Sequence, residues 1–371
     1  MQDGSGPTCA ATCACVFVDS PFTSKARIFL LIFQFQFFLQ SETSMSSIDI
    51  TIPNYNYGHY LERCVRSIQS QSIEDLRIRI IDNASTDNSV EIAERLAAAD
   101  PRISISVHEK NLGVHASINE GIEWAEADYF LMLTADDMLA PGSLARARAI
   151  LDEHGEVVFA FGHYLSFYED DVSVVIPEDQ QDTGWNILDG SDYLERCCND
   201  IIRIVSPLVR TRFQKQVPYT DEIYYLADLH VFMRLAALGK VAETTAVQSL
   251  QGLHQSNISV GIWSNPMRNF NSTKDLINLF FGAGEGTYLP NSEALRIRAL
   301  RRLGKRAYWS ALSRLMRGDV GNALKLMRFS LALNPVVAIV PPLDQLTRYE
   351  DFEVRFKNAF SLLTSRRTSA G

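Results

Sequence analysis

Residues 128–139 read D-Y-F-L-M-L-T-A-D-D-M-L, and this stretch decides the fold. From Tyr129 to Thr134 the chain is apolar or β-prone and has no polar face. So short a run is a strand buried on both sides, as at the centre of a mostly parallel sheet. It ends at Ala135, and two adjacent carboxylates follow, Asp136 and Asp137. Open α/β sheets bind ligands outside the carboxyl ends of their strands. Two acids at that edge suit a divalent cation, and the cation in turn suits a diphosphate. The competing reading is a simple turn cap ahead of Pro141 and Gly142, and the flanking chain decides between the two.

Upstream, strand and helix signals alternate. Ile48 to Pro53 is a predicted strand, and Leu61, Cys64, Val65 and Ile68 then recur at i, i+3, i+4, i+7, an apolar helical stripe. Leu76 to Asp82 is a second strand, followed by a polar cluster to Ser89 and a helix with Val90, Ala93, Leu96 and Ala97 on one face. Ile103 to His108 is a third strand, followed by a helix carrying Val114, Ile118, Ile122 and Ala125. Strand–helix units in this order imply right-handed crossovers and a parallel sheet. The strand ends carry Asn54-Tyr55-Asn56, Asp82-Asn83 and Asp136-Asp137, which places them at one crevice.

The 371 residues suffice for one large domain with an appendage or for two domains, and a 46% apolar fraction fits a full core. With 35 basic and 44 acidic residues the net charge is −9, which argues against general nucleic-acid binding. An acidic protein still binds an anionic nucleotide when a metal ion mediates. The six cysteines show no zinc spacing, and reduced thiols in a cytoplasmic protein are expected. Residues 1–45 are read as an extension outside the fold, with Met45 as the start; their apolar run, Ile28 to Leu39, is too short for a membrane-spanning helix.

Four segments are recognisable together: I-P-N-Y-N-Y-G-H-Y-L (52–61), I-I-D-N-A-S-T-D-N-S (80–89), N-L-G-V (111–114) and L-T-A-D-D-M-L (133–139). In order and spacing the set resembles the family 2 glycosyltransferases, from about Ile48 to Ser259. The resemblance implies a nucleotide-diphosphosugar-binding, A-type fold: a mostly parallel central sheet flanked by helices. Residues 46–262 would form the catalytic domain, with 46–155 holding the donor and 156–262 the acceptor, and residues 263–371 a C-terminal helical region. Pro53, Tyr55, Asp82, Asn83 and Asp136 are implied in donor binding. Asp136, Asp137 and His254 are implied around a Mg²⁺ or Mn²⁺ ion, with Ser256 and Asn257 in support. The chain departs from the family at Asn83, where a second Asp is usual, at Thr134, often Asp, and at Ile118, often Arg.

Asp228 matches the general base of inverting members, which takes the acceptor hydroxyl's proton. The plainer reading has Asp228 cap the helix that follows, and His230 is the alternative base. The C-terminal region reads as a helical hairpin, with Leu300, Leu303, Ala307 and Ala311 on one stripe and Arg298, Arg301, Arg302, Lys305 and Arg306 on another. That basic face suits an anionic membrane or plain solvent. The expected activity is metal-dependent, inverting transfer from a nucleotide-diphosphosugar to a saccharide or lipid-linked acceptor, as in polysaccharide synthesis. The expected place is cytoplasmic or peripheral on the inner face of the membrane. A sugar-phosphate nucleotidyltransferase and a non-catalytic binding protein are the alternatives.

Overall fold

The computed structural model describes residues 46–168, 180, 184–199, 202, 204–255, 257 and 265–345. The extension at 1–45 lies outside the described residues, as do Ser256 and Ser259 of the loop after His254.

The first half is built as the alternation requires. Strands β1 (Ile48–Asn54), β2 (Leu76–Asp82), β3 (Ile103–Val107) and β4 (Tyr129–Met132) pair in parallel in the order β3-β2-β1-β4. Between them run α1 (Gly58–Gln69), α2 (Ser89–Ala99) and α3 (Val114–Trp124). All seven residues of β1 are buried, as its central place demands. Ile48, Ile50 and Ile52 face one core, with Leu61, Cys64, Val65 and Ile68 of α1 on that side. Phe130 faces a second core, shared with Ile118 and Ile122 of α3. The departure at Ile118 is therefore a packing residue, 3% exposed.

Beyond β4 come β5 (Met138–Leu139), α4 (Ser143–Glu153), β6 (Val157–Tyr168), β7 (Trp185–Leu188) and α5 (Gly190–Asn199). Then follow β8 (Leu208–Arg210), α6 (Thr211–Gln214), α7 (Ala227–Ala236) and β9 (Lys240–Leu253). The sheet order continues from β4 through β8, β6 and β9 to β5, and β7 pairs with β9 as well. β8 lies antiparallel between β4 and β6, while β6 and β9 are parallel. The described sheet is thus parallel in its first half and mixed overall. A strand of three residues carries no period from which its direction could be read.

Charged groups at the two ends of the sheet have different fates. Asp49 in β1, at the amino end of the parallel strands, is fully buried, gripped by Arg77 at 2.7 Å and by the backbone N–H groups of Glu126 and Ala127. It is structural. At the carboxyl end the acids face the crevice described below.

The C-terminal region is helical: α8 (Pro266–Gly282), α9 (Ser292–Met316) and α10 (Val320–Leu333). α9 and α10 form the expected hairpin, closed at Gly318 (φ 84°), with Asp319 capping α10 by accepting from the Asn322 backbone. Ala299, Leu303, Ala307 and Ala311 of α9 are buried in the core shared with α5, α7 and α8. The basic face is partly spent within the molecule. Arg298 pairs with Glu195 of α5 and Lys305 with Asp344, while Arg302 and Arg306 line a small cavity beside Cys197, Cys198 and Met233. Among the described residues no helix is long and apolar enough to cross a membrane.

Candidate active site

Loops from three strand ends are stitched together at the carboxyl edge. Asn54 Nδ2 donates to Asp82 Oδ2 (2.8 Å), Asn56 N to Ser85 Oγ (2.8 Å) and Thr86 N to Asn56 Oδ1 (2.7 Å). Asp82 also accepts from the Ser85 backbone (2.8 Å) and hydroxyl (2.6 Å), so its buried carboxylate organises the loop. Asn56 (φ 58°) and Ala84 (φ 62°) adopt left-handed backbone here. Asn tolerates that region; for Ala it costs roughly 1–2 kcal/mol, and the grip of Asp82 on Ser85 holds it. Pro53 is buried at the end of β1, where pairing with β4 has stopped at Thr51. Tyr55 stands at the crevice mouth, 44% exposed.

Asn83 shows why an amide occupies its position. Its Oδ1 accepts from Leu112 N (2.8 Å), and its Nδ2 donates to Asn111 Oδ1 (3.0 Å). A carboxylate could take the first bond but could not make the second. The family's second acid is thus replaced by a group that ties down the N-L-G-V loop.

The acid pair sits against β9. Asp137 Oδ2 accepts from Thr134 Oγ1 (2.6 Å) and its Oδ1 from Gly252 N (2.9 Å). Thr134, in place of a further acid, thus supplies a proton donor. Asp136 Oδ2 accepts from Asn257 Nδ2 (2.9 Å) and lies 3.0 Å from His254 Nε2. His254 itself packs on Tyr57 and Tyr60, with ring centroids 5.2 and 5.1 Å away. Burial pushes the Asp137 carboxyl up to about 7, and the charges of Asp136 and then Asp228 add to this, against the bonds from Thr134 and Gly252. Burial and the same pair push the Tyr57 phenol up to about 12. The structure therefore brings Asp136, Asp137 and His254 together, though no group of three His, Cys, Asp or Glu side chains among the described residues is already arranged as an ion's shell.

Gly252 is the residue that lets the acid loop approach. A Cβ there would stand 2.4 Å from the Asp136 carbonyl oxygen. Gly252→Ala should cost roughly 1–3 kcal/mol, as overpacking does, and should displace both acids. A lower melting temperature together with weaker nucleoside diphosphate binding is expected; a variant matching the parent in both would refute this role.

Asp228 lies in the first turn of α7 and is exposed. It does not cap the helix. The N-cap position is Leu226, with no side-chain cap bond. Instead Asp228 Oδ1 accepts from Tyr219 Oη at 2.8 Å. Tyr219 is fixed in turn by Asn119, which donates to its carbonyl (2.9 Å) and accepts from its N–H (2.8 Å). The surrounding protein raises the Asp228 carboxyl above its ordinary range, while Tyr219 and the charge of His115 act the other way. His230 is buried in the core layer, pushed down to about 4 by burial and then by Arg234. It is a structural histidine. Sequence reading missed Tyr219, Asn119 and His115, which no local pattern marks.

A sheet that is parallel in its first half, with an acid pair at the carboxyl edge, and mixed in its second is that of an A-type glycosyltransferase fold. Residues 49–204 match the Glycosyl transferase family 2 model. Glycosyltransferase GlyG of Streptococcus pneumoniae is 30% identical over 125 residues, covering 33% of this chain and 41% of the relative. Chondroitin synthase of Pasteurella multocida is 34% identical over 97 residues, 26% of this chain and 10% of the relative. An uncharacterized Haemophilus influenzae glycosyltransferase is 26% identical over 223 residues, 57% and 68% of the two chains. The chain thus spans less than half the length of the first two. Among solved structures, S. aureus TarS 1-349 in complex with UDP aligns at TM-score 0.55 and 15% identity, covering 87% of this chain and 92% of that one. Mannosyltransferase PcManGT from Pyrobaculum calidifontis, in complex with GDP-Man and Mn²⁺, aligns at 0.53 and 14%, covering 91% and 93%. At these identities the structures bear on the fold alone.

Proposed function

We propose that the chain moves one sugar from a nucleotide-diphosphosugar to an acceptor hydroxyl by a single inverting displacement. The observation that carries this is Asp228: exposed at the start of α7, held by Tyr219, and close enough for its charge to act on Asp137. A carboxylate so placed takes the acceptor's proton as the hydroxyl attacks the anomeric carbon. Its raised pKa makes it a better base than an ordinary Asp. Tyr55 and the Asp82–Asn83 loop bound the nucleoside end, and Asp136 meets the ribose and diphosphate.

Asp137 and Asp136 would hold a Mg²⁺ or Mn²⁺ ion, with His254 beside them. The fit rests on the crowded charge itself, since a cation offsets the burial and repulsion that hold the Asp137 proton. Carboxylate oxygens suit both ions, and an imidazole suits Mn²⁺ better. When bound, such an ion neutralises the leaving nucleoside diphosphate as a Lewis acid. The PcManGT complex with GDP-Man and Mn²⁺ supports this cofactor class, and the UDP and UDP-GlcNAc complexes of TarS support the donor class. Relatives named chondroitin and hyaluronan synthase support a role in polysaccharide synthesis, with a saccharide or lipid-linked acceptor.

The test is a panel of nucleotide sugars with Mn²⁺ or Mg²⁺, read by ³¹P NMR. Release of nucleoside diphosphate supports transfer; pyrophosphate formed in a parallel mixture of nucleoside triphosphates and sugar 1-phosphates marks a nucleotidyltransferase; no change in either leaves a binding protein.

We also place the protein on the cytoplasmic side, resting on the membrane through its C-terminal hairpin. Residues 292–345 hold ten basic and three acidic residues in an acidic chain. At the hairpin tip Leu315, Met316, Val320 and Leu324 are all about half exposed, beside exposed Arg317 and Lys325. With about 1 kcal/mol per basic residue at an anionic surface, the double change Arg317→Gln, Lys325→Gln should weaken vesicle binding roughly 30-fold. Equal co-sedimentation with phosphatidylserine vesicles would leave the tip a solvated surface.

A further inference from the structure

His108 follows β3 and touches the donor loop from behind, its side chain 9% exposed. Nδ1 lies 2.9 Å from Asn83 Oδ1, and Nε2 lies 2.6 Å from Glu120 Oε2 on α3. The proton count on this ring can be settled by its partners. Asn83 Oδ1 accepts from the Leu112 backbone N–H, which can only donate, so the Asn83 amide is not flipped. Its other end agrees: Asn83 Nδ2 meets Asn111 Oδ1, which also accepts from Gly113 N (2.9 Å). Nδ1 of His108 therefore faces an acceptor and must donate. Glu120 is a carboxylate; burial opposes its charge, but Ser106, His108 and Arg79 together hold its carboxyl below the usual range. Nε2 must donate as well. A neutral imidazole has one N–H, and this environment asks for two.

We propose that His108 is a positioning residue of the nucleotide subsite: as an imidazolium bridging Glu120 to Asn83, it fixes the 111–113 loop and with it the wall against the donor's base. The proposal deepens the glycosyl-transfer reading, on which the identity of the subsite rests. The charged groups facing the ring are Glu120 of α3 and, behind it at 3.8 Å, Arg79 of β2. One consequence concerns what Asn83 offers. With its oxygen already accepting from Leu112 and His108, the group left to it is an N–H, so it serves a base that presents an acceptor.

The experiment compares the full chain with His108→Gln and Glu120→Gln. In long-range ¹H–¹⁵N spectra near neutral pH, both ring nitrogens of His108, assigned by their loss in His108→Gln, should have protonated-type shifts. The Leu112 amide should exchange about tenfold faster in each variant, the loss expected for one charge-assisted bond. UDP and GDP, titrated with Mn²⁺, should bind His108→Gln about tenfold more weakly than the parent. A proton-free ring nitrogen in the parent at neutral pH, or unchanged Leu112 exchange in both variants, overturns the bridge. Nucleotide affinity equal in parent and His108→Gln overturns the subsite role alone. Failure of the parent to bind either nucleotide overturns that role together with the transferase reading.

Discussion

Asp228→Asn is expected to lower the transfer rate by roughly 10²–10⁴, the usual contribution of a positioned general base, while leaving melting temperature and nucleoside diphosphate affinity almost unchanged. The separation follows from the contacts. The side chain does not cap the helix, and the bond it accepts from Tyr219 Oη is one an amide oxygen accepts equally well. What the amide cannot do is accept the acceptor's proton. Asn119 grips Tyr219 from α3 whatever stands at position 228, so the wall behind the variant stays in place. Initial rates with a competent acceptor, set beside calorimetric affinity for the donor product, check both halves. Transfer within a few-fold of the parent would make Asp228 a structural acid. A parallel loss of affinity would place it on the donor side.

Asp137→Ala should abolish the response of nucleoside diphosphate binding to Mn²⁺, whereas Asp136→Ala should weaken binding and keep part of that response. Asp137 carries the larger effect because Thr134 Oγ1 of its own loop and Gly252 N of β9 are turned onto it, and because its carboxyl is the more perturbed. The same carboxyl gives the metal effect a pH sign. Its folded-state value of about 7 lies above that of an unfolded Asp, about 3.9. The folded state therefore holds the extra proton, and without a cation this group costs stability as pH rises from about 4 through 7. A cation needs the carboxylate, so the rise in melting temperature with Mn²⁺ should grow from about pH 5.5 to about pH 8 and vanish in Asp137→Ala. A Mn²⁺ shift of the same size in the parent and in Asp137→Ala would remove the ion from this site.

What the sequence disclosed is the first half of the sheet, and the reason is local. β4 is a short apolar run, β1 and β2 alternate apolar with polar residues, all three lead into polar clusters, and α1 carries its stripe at the helical period, so each element declares itself within a dozen residues. The acids at the strand ends then follow from topology. The mixed half is different. β8 is three residues long, and the long strand β9, which presents Gly252 to the acid loop, alternates too loosely to stand out. Asp228 was reachable only by resemblance, and its supports were not reachable at all. Tyr219 and Asn119 are 100 residues apart, and their pairing exists only once α3 and the segment before α7 are packed. The substitution at Asn83 shows the same limit. In sequence it is a departure from a family pattern; in the structure it is a donor to Asn111 and an acceptor from Leu112. The basic stripe of α9 was legible as charge, but not that Arg298 and Lys305 are spent on Glu195 and Asp344.

The central claim is a single displacement between Asp228 and the acid pair. The most direct measurement is the anomeric configuration of the first product, read by ¹H NMR with an α-linked nucleotide sugar, Mn²⁺ and an acceptor on which turnover is seen. A β-linked product is predicted, formed by the parent and nearly lost with Asp228→Asn. An α-linked product, or a β-linked one formed equally fast by that variant, would contradict it.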